Sequence, residues 1–304
     1  MSATKTSKPG ASAPQSHAGA EMAKAEVLIE ALPFLREFWG STIVVKYGGN
    51  AMADAALAES FAADIVLLHS VGIRVVVVHG GGPQIGHLLA RLGIQSEFRD
   101  GLRVTDAETL DVARMVLVGK VNRDIVASIN VHGPLAVGLS GEDAGLIQAN
   151  LRDPELGFVG DIANINPAIV VSLLTQNLIP VISTIGADLS GQSYNINADT
   201  VAGALGGALD AVKVIYLTDI AGLLRDVNDP LSLIAKTTPT EIAALISDGV
   251  IAGGMIPKVE ACLESIEAGV PAVHMLDGRI PHVLLLELFT RAGVGTMITS
   301  EGSS

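Results

Sequence analysis

Cysteine and aromatic residues are scarce in this chain, which has one Cys, one Trp, three Tyr and six Phe among 304 residues. A lone thiol, Cys262, excludes an internal disulfide, and no Cys-rich or His-rich ligand spacing exists for a structural zinc. A reducing, cytoplasmic setting is therefore expected. Positive charge is also scarce, with 19 Lys and Arg against 32 Asp and Glu, a formal net charge of −13. No basic run with interleaved aromatics is left to grip a phosphate backbone, which argues against nucleic acid as a partner. Long hydrophobic runs are missing as well. Ser172 interrupts Ile169 to Leu174 and Glu287 interrupts Val283 to Leu288, both far short of the roughly 20 residues of a membrane-spanning helix. With 49% apolar residues, the chain can bury the core of one large α/β domain or of two lobes.

Residues 1–20, rich in Ser, Ala, Lys and Pro, lack apolar periodicity and read as a disordered tail. A transit peptide is the alternative, although the tail has Lys but no Arg. From Ala25 to Phe38 the residues Val27, Leu28, Leu32, Leu35 and Phe38 recur at helical spacing, with Pro33 inside the run. This predicts a kinked amphipathic helix that either covers its own domain or makes a subunit contact.

Six β-branched or apolar runs then alternate with helical patterns. They are Ser41 to Lys46, Arg74 to Val78, Leu135 to Leu139, Leu178 to Ile182, Lys213 to Leu217 and Val270 to Met275. Between them lie expected helices at Asp54 to His69, Pro83 to Leu92, Thr105 to Asn130, Asn166 to Gln176, Ala198 to Gly206, Thr240 to Ser247 and Lys258 to Ala268. The rhythm predicts an open three-layer αβα sandwich on a mostly parallel sheet. The Gly-containing, alternating segment Gly145 to Asn164 reads as a hairpin over a sheet edge.

Ligands of such sheets collect beyond the carboxyl ends of strands. Three loops there are unusual: Lys46-Tyr-Gly48-Gly49-Asn50, His79-Gly80-Gly81-Gly82-Pro83, and Thr218-Asp219-Ile-Ala-Gly222-Leu223. Glycine lets a ligand approach backbone amides closely, and the first two loops run into helix N-termini that favour anions. Two known phosphate signatures fail. Gly86 lies one residue too late to complete a G-x-G-x-x-G from Gly80, and Gly119-Lys120 has Arg114 where a P-loop needs glycine.

Two lysines stand where a cation is locally costly: Lys46 ends an apolar strand, and Lys258 opens a helix after Gly253-Gly254. Each is either a snorkelling surface residue or part of a pair that neutralises a transferring phosphoryl group. Asp199, in Asn195-Ile-Asn-Ala-Asp199, is either part of a helix cap or a carboxylate holding both lysines. Arg103, just before a long helix, is a surface residue or a fork for a carboxylate.

Together these motifs, in this order from about Ala25 to Ile298, resemble the amino-acid kinase family. The segments that carry the resemblance are Lys46 to Met52, His79 to Gln84, Gly101 to Thr105, Asn195 to Asp199 and Gly254 to Lys258. Within the family they resemble the branch that phosphorylates the side-chain carboxylate of N-acetyl-L-glutamate in arginine biosynthesis. The resemblance implies that Lys46 and Lys258 stabilise the transition state and that Asp199 orients them. It implies that Gly81, Gly82, Arg103 and Asn195 bind the acceptor, chiefly in a lobe of residues 41–190. It further implies that Gly48, Gly49, Thr218, Asp219, Gly222, Leu223, Leu224 and Gly254 bind ATP, chiefly in a lobe of residues 191–304. Mg²⁺ is expected to arrive on the nucleotide, with no protein metal cage. Arginine-inhibited members share both ends of the chain, which implies a helix at residues 21–40 that joins subunits into a dimer or hexamer. An arginine site near Lys213, Glu287 and Gly293 is expected with it, the alternative for Glu287 being a solvated helix residue. The carboxylate needs no general base, since its unperturbed pKa of ~4.3 leaves it ionised at neutral pH; the obstacle is repulsion between two anions.

Overall fold

The computed structural model describes residues 14–48, 52, 54–99, 101–291 and 293–300. Helix α1 (Pro14–Phe38) leads into β1 (Thr42–Tyr47), α2 (Ala55–Ser70), β2 (Arg74–His79) and α3 (Gly82–Leu92). Next come the two-residue strands β3 (Phe98–Arg99) and β4 (Leu102–Arg103), then α4 (Ala107–Arg114), a π-helical turn at Met115–Val121 and α5 (Asn122–Asn130). The middle of the chain holds β5 (Ala136–Ser140), β6 (Ile147–Leu151), β7 (Gly160–Ile165), α6 (Ala168–Thr175), β8 (Ile179–Ser183), β9 (Ile185–Ala187) and β10 (Ser193–Asn195). It ends with α7 (Ala198–Ala208), β11 (Lys213–Thr218), β12 (Lys236–Thr237), α8 (Pro239–Ser247), α9 (Ile256–Glu267), β13 (Ala272–Asp277), α10 (Val283–Phe289) and β14 (Thr296–Thr299).

Eight strands form one sheet in the order β12-β14-β13-β11-β1-β2-β8-β5. Every neighbour pair is parallel except β13 with β14. All six expected strands lie in it, shifted by no more than two residues at each end. Period-2 alternation then sorts the core into two layers. Ile43, Val45, Val75 and Val77 join the cluster formed with α2, α3, α5 and α10. Val44, Val76, Val78 and Val214 join the cluster formed with α7, α8 and α9. Each fully buried side chain of this kind contributes about 1.5–3 kcal/mol. Lys46 follows the even residues, so it points to the layer of α7 and α9.

The hairpin expected at Gly145 to Asn164 is present as β6 and β7, antiparallel, in a second sheet ordered β10-β9-β6-β7. The helix expected over Thr105 to Asn130 is interrupted by the π-helical turn, a local geometry that apolar periodicity does not reveal.

Two N-terminal expectations need correction. Helix α1 begins at Pro14, eleven residues before the expected start at Ala25, so it takes in the last part of the segment read as a disordered tail; residues 1–13 lie outside the described residues. The helix also does not bury its whole apolar stripe: Phe38 is buried, whereas Val27, Leu28, Ile29 and Leu32 are exposed. Among the described residues its C-terminal end packs on the domain, through Phe34 and Phe38 and against α10.

Candidate active site

The carboxyl ends of β1, β2 and β11 lie side by side, with Lys46 in register with Val78 and Tyr216. Lys46 Nζ stands 2.8 Å from Asp199 Oδ1, in a contact that leaves the lysine 14% and the aspartate 25% exposed. Gly48 makes room for this arrangement. A Cβ at Gly48 would lie 2.9 Å from Lys46 Nζ, so the lysine side chain folds back over the glycine. Asp199 is held from three directions. Asn197 caps α7 by accepting from the Asp199 amide at 2.8 Å, and the Asp199 carbonyl accepts from Tyr216 Oη at 3.1 Å. Tyr216 is itself buried against Ser265 at 2.7 Å. The Asp199 carboxylate therefore has a fixed base and a cation as its near neighbour.

Lys258 lies in the first turn of α9, and its Nζ is 3.4 Å from Asp219 Oδ1. The expectation that Asp199 holds both lysines is thus corrected. Asp199 pairs with Lys46, and Asp219, from the loop after β11, pairs with Lys258. All three of Lys46, Lys258 and Asp199 nevertheless act electrostatically on the buried Cys262 thiol of α9. Burial works to raise the Asp219 pKa, but Lys258, hydrogen bonding and Arg279 outweigh it and hold the carboxyl below its ordinary value. Both pairs are partly exposed, the Lys258–Asp219 pair more so, and solvent screening limits what either adds to stability; their significance lies in the charge they present to a ligand.

On the other side of Lys46, the glycine loop after β2 and the β3–β4 hairpin enclose a cleft of about 190 Å³. Gly81, Gly82, Arg103 and Asn195 all line it, so the four residues expected to bind an acceptor come together. The N-terminus of α3 faces this cleft with no side-chain cap, which leaves its amides and positive dipole end available to an anion. Arg103 is largely buried; its guanidinium donates to Gly82 O at 2.9 Å and to Ser96 Oγ, and stacks 4.6 Å above the Phe98 ring. These contacts fix the plane of the fork. Gly81 packs closely on the π-helical turn: a Cβ there would lie 2.6 Å from Leu117 Cδ2, so that side chain would have to shift.

The residues expected to hold a nucleotide lie beyond β11 and before α9. Thr218 closes β11, and its hydroxyl accepts from the Ile220 amide at 3.2 Å. Gly222 has φ +135° and no room for a Cβ beside Thr296. Leu223 is buried in the core, its amide donating to Thr296 Oγ1 at 2.8 Å and its carbonyl accepting from the Ile234 amide at 2.8 Å. Gly254 has open space on its Cβ side, in the turn that leads to Lys258. Gly49 lies outside the described residues.

Further from this edge, Lys213, the buried His274 and Glu287 form one chain of contacts, with Gly293 packed against the Glu287 carboxylate. Lys213 Nζ is 3.0 Å from His274 Nε2, and His274 Nδ1 is 2.7 Å from Glu287 Oε1. Glu287 Oε2 accepts from the amides of Val294 at 2.7 Å and Gly295 at 3.2 Å. Burial lowers the His274 pKa, with the Glu287 hydrogen bond opposing it and Lys213 adding to it. Lys213 also faces the Phe38 ring of α1 at 5.3 Å. His274 links these residues, in contact with Lys213 on one side and Glu287 on the other.

Sequence reasoning missed two more groups. Arg279 binds Asp277 through Nε and Nη2, both at 2.8 Å, at the end of β13 next to Asp219. His79 and Asn122 are fully buried under the glycine loop. A run of Asp-Gly-Arg after a strand was the only available signal for the first. The second joins residues 43 apart and had none.

The amino acid kinase family profile matches residues 41–277. The chain belongs to that family. Among its relatives, acetylglutamate kinase of Nostoc sp. (strain PCC 7120) is 54% identical over 92% of this chain and 94% of its own length. Acetylglutamate kinase of Desulfitobacterium hafniense is 54% identical over 91% and 97%. Among solved structures, N-acetylglutamate synthase from Neisseria gonorrhoeae complexed with coenzyme A and N-acetyl-glutamate superposes with a TM-score of 0.81 at 27% identity. The alignment covers 92% of this amino acid kinase and only 64% of that synthase. The same synthase complexed with coenzyme A and L-arginine gives a TM-score of 0.75 at 26% identity, covering 90% and 65%. Carbamate kinase from Giardia lamblia, at 20% identity, 86% and 99% coverage and a TM-score of 0.62, shares the fold. The observed three-layer architecture is thus that of the family, and phosphoryl transfer is its chemistry.

Proposed function

We propose that this chain is an acetylglutamate kinase, moving the γ-phosphoryl group of ATP to the side-chain carboxylate of N-acetyl-L-glutamate and giving N-acetyl-L-glutamyl 5-phosphate. The observation that carries the reading is the Lys46–Asp199 pair standing between an anion-binding cleft and the nucleotide loops. The names of relatives 54% identical over nine-tenths of the chain supply the acceptor's identity.

The acceptor's α-carboxylate meets Arg103, its acetylamino group meets Asn195, and its reacting carboxylate lies at the amides of the Gly81-Gly82 loop. ATP spreads over Gly48, Thr218 to Leu224 and Gly254. Its γ-phosphoryl group then sits between Lys46 and Lys258, the latter leaving Asp219 to reach it. The attacking oxygen is already anionic, so the residues move no proton; they offset the repulsion of two anions and the charge that spreads over the transferring oxygens. Asp199 aims Lys46 without touching the phosphates. Among the described residues no group of three or more His, Cys, Asp or Glu is placed to hold a metal, and the two nearest carboxylates each face an ammonium. Mg²⁺ carried on the nucleotide phosphates would supply further charge neutralisation beside these ammonium groups.

Hydroxylamine trapping of acyl phosphate formed from ATP and N-acetylglutamate tests the assignment. Formation of hydroxamate with N-acetylglutamate but not with glutamate or aspartate is expected. Equal yields from glutamate or aspartate would instead favour another carboxylate kinase of the family, such as a glutamate 5-kinase or an aspartokinase.

The Lys213-His274-Glu287 chain beside α1 supports arginine as an inhibitor, since the Glu287 carboxylate suits a guanidinium. L-arginine in the related synthase supports the same ligand. The exposed Val27, Leu28, Ile29, Leu32 and Trp39 at the N-terminal helix support a homo-oligomer built through it. No helix among the described residues is long and apolar enough to cross a membrane, in keeping with a cytoplasmic biosynthetic enzyme.

A further inference from the structure

The glycine loop after β2 has a buried support that the phosphoryl-transfer reading does not use. His79 ends β2 in register with Tyr47 and Ser183 and is 0% exposed. Its Nδ1 lies 2.9 Å from Gly80 O, and its Nε2 lies 3.1 Å from Asn122 Nδ2. Asn122 is likewise 0% exposed, and its amide also donates to Val181 O at 2.8 Å. An amide nitrogen can only donate, so Nε2 must accept, and in a neutral imidazole the proton is then on Nδ1. Asn122 thereby selects the tautomer that donates to Gly80 O.

That bond controls more than one carbonyl. No peptide is cis among the described residues, so the Gly81 N–H points opposite to the Gly80 C=O across one plane. Gly80 N donates to Tyr47 O at 3.3 Å, Gly81 packs on Leu117, and Gly82 O is held by Arg103. The Gly81 amide has no hydrogen-bond partner among the described residues and lines the acceptor cleft. Tying the Gly80 carbonyl to the protein interior therefore turns the Gly81 amide outward, to the place where an anionic acceptor would sit. Asn122 begins α5 directly after the π-helical turn that carries Leu117. The same turn thus packs Gly81 and sets the proton on His79.

We propose that His79 is a positioning residue for phosphoryl transfer, its imidazole set in the Nδ1–H tautomer by Asn122 so that the Gly81 amide is aimed at the acceptor carboxylate. The proposal deepens the function argued above and rests on it for the acceptor.

Two replacements separate the roles of the two ring nitrogens. H79N keeps an amide donor at the distance of Nδ1, whereas H79Q carries its amide to the distance of Nε2 and leaves Gly80 O unpaired. With ATP saturating, H79N should stay within about threefold of wild-type kcat/KM for the acceptor, and H79Q should fall at least ~30-fold with an unchanged KM for ATP, the size of effect a small misplacement produces. Equal kinetics in the two variants would overturn the proposal. A loss in H79Q that appears only in thermal stability would overturn it too. Should the His79 variants fail to fold, the wild-type enzyme and N122D still decide. Imidazole ¹⁵N resonances should show Nδ1 protonated in the wild type, and N122D, which offers an acceptor to Nε2, should shift the proton and lower acceptor kcat/KM at least about tenfold. An Nε2-protonated wild type, or N122D with wild-type kinetics, would refute it. Failure to phosphorylate N-acetylglutamate would count against the acceptor assignment alone, since the tautomer is read without substrate and the variant ratios hold with whichever carboxylate the wild type accepts.

Discussion

Lys46 and Asp199 meet at 2.8 Å across the central layer, one from the end of β1 and the other from the first turn of α7. Only the alternation of β1 brings Lys46 to that face, and only the Asn197 cap and Tyr216 bring the start of α7 under it. If the ammonium acts on charge in the transition state, Lys46→Ala lowers kcat by ~100- to 1000-fold with little change in substrate KM. Asp199→Asn keeps the shape and removes the charge, and the loss should be smaller and again in kcat. Steady-state kinetics with both substrates checks this, and a normal turnover number in Lys46→Ala would refute the role given to the lysine.

Arg103→Lys removes a planar fork while retaining its charge. Lysine can replace neither the paired contacts to Gly82 O and Ser96 nor the stacking on Phe98. The KM for the acceptor should rise about 10- to 100-fold, that for ATP should stay constant, and kcat should fall less. A rise in both KM values would mean that Arg103 supports the whole fold and not one subsite.

These two predictions use residues whose importance the sequence already suggested, and the reason is local. A lysine at the end of a Val-rich strand and glycines after two parallel strands break local rules, and such breaks are visible without coordinates. Strand positions were legible because β-branched runs alternate with helical patterns in a parallel sheet. Partnerships were not legible. The pairing of Lys258 with Asp219 rather than Asp199 depends on how α9 and the loop after β11 sit over the sheet. The link of His79 to Asn122 depends on a π-helical turn that no hydrophobic period announces. The start of α1 at Pro14 was missed because Ala, Ser and Gln carry no apolar stripe. Strands β12 and β14 were missed because each is four residues or fewer.

Glu287 gives a separate handle on inhibition. Its two oxygens are occupied by His274 and by the amides of Val294 and Gly295, and no atom of this chain of contacts reaches Lys46 or Lys258. Glu287→Gln should therefore leave uninhibited turnover within about twofold of wild type while raising the arginine concentration for half-inhibition by at least ~10-fold, because a guanidinium would lose its charged partner. Titrating arginine against both enzymes measures this. Insensitivity of the wild type would sink the arginine proposal, and equal sensitivity of the variant would remove Glu287 from the site.

The buried histidines give stability a pH dependence whose sign can be worked out. Burial, with a smaller contribution from Arg123 and against the bond to Gly80, pulls the His79 pKa from 6.5 down to about 4. Burial lowers His274 and His69 as well. A group depressed in this way binds more protons unfolded than folded between its two pKa values. Its contribution is therefore complete above pH ~6.5 and is lost as pH falls towards its folded value. At ~1.4 kcal/mol for each pH unit of difference, His79 alone accounts for a loss on the order of 3 kcal/mol by pH ~4. Asp64 works in the other direction. Burial raises its carboxyl pKa despite the bond from His282, so it is better protonated in the fold and offsets part of the loss at lower pH. Urea midpoints should thus decline from pH 7 to pH 5 at constant m-value. H79N, which removes the largest of these contributions, should show a shallower decline. A wild-type midpoint that stays flat over this range would mean that His79 is not held neutral by the fold.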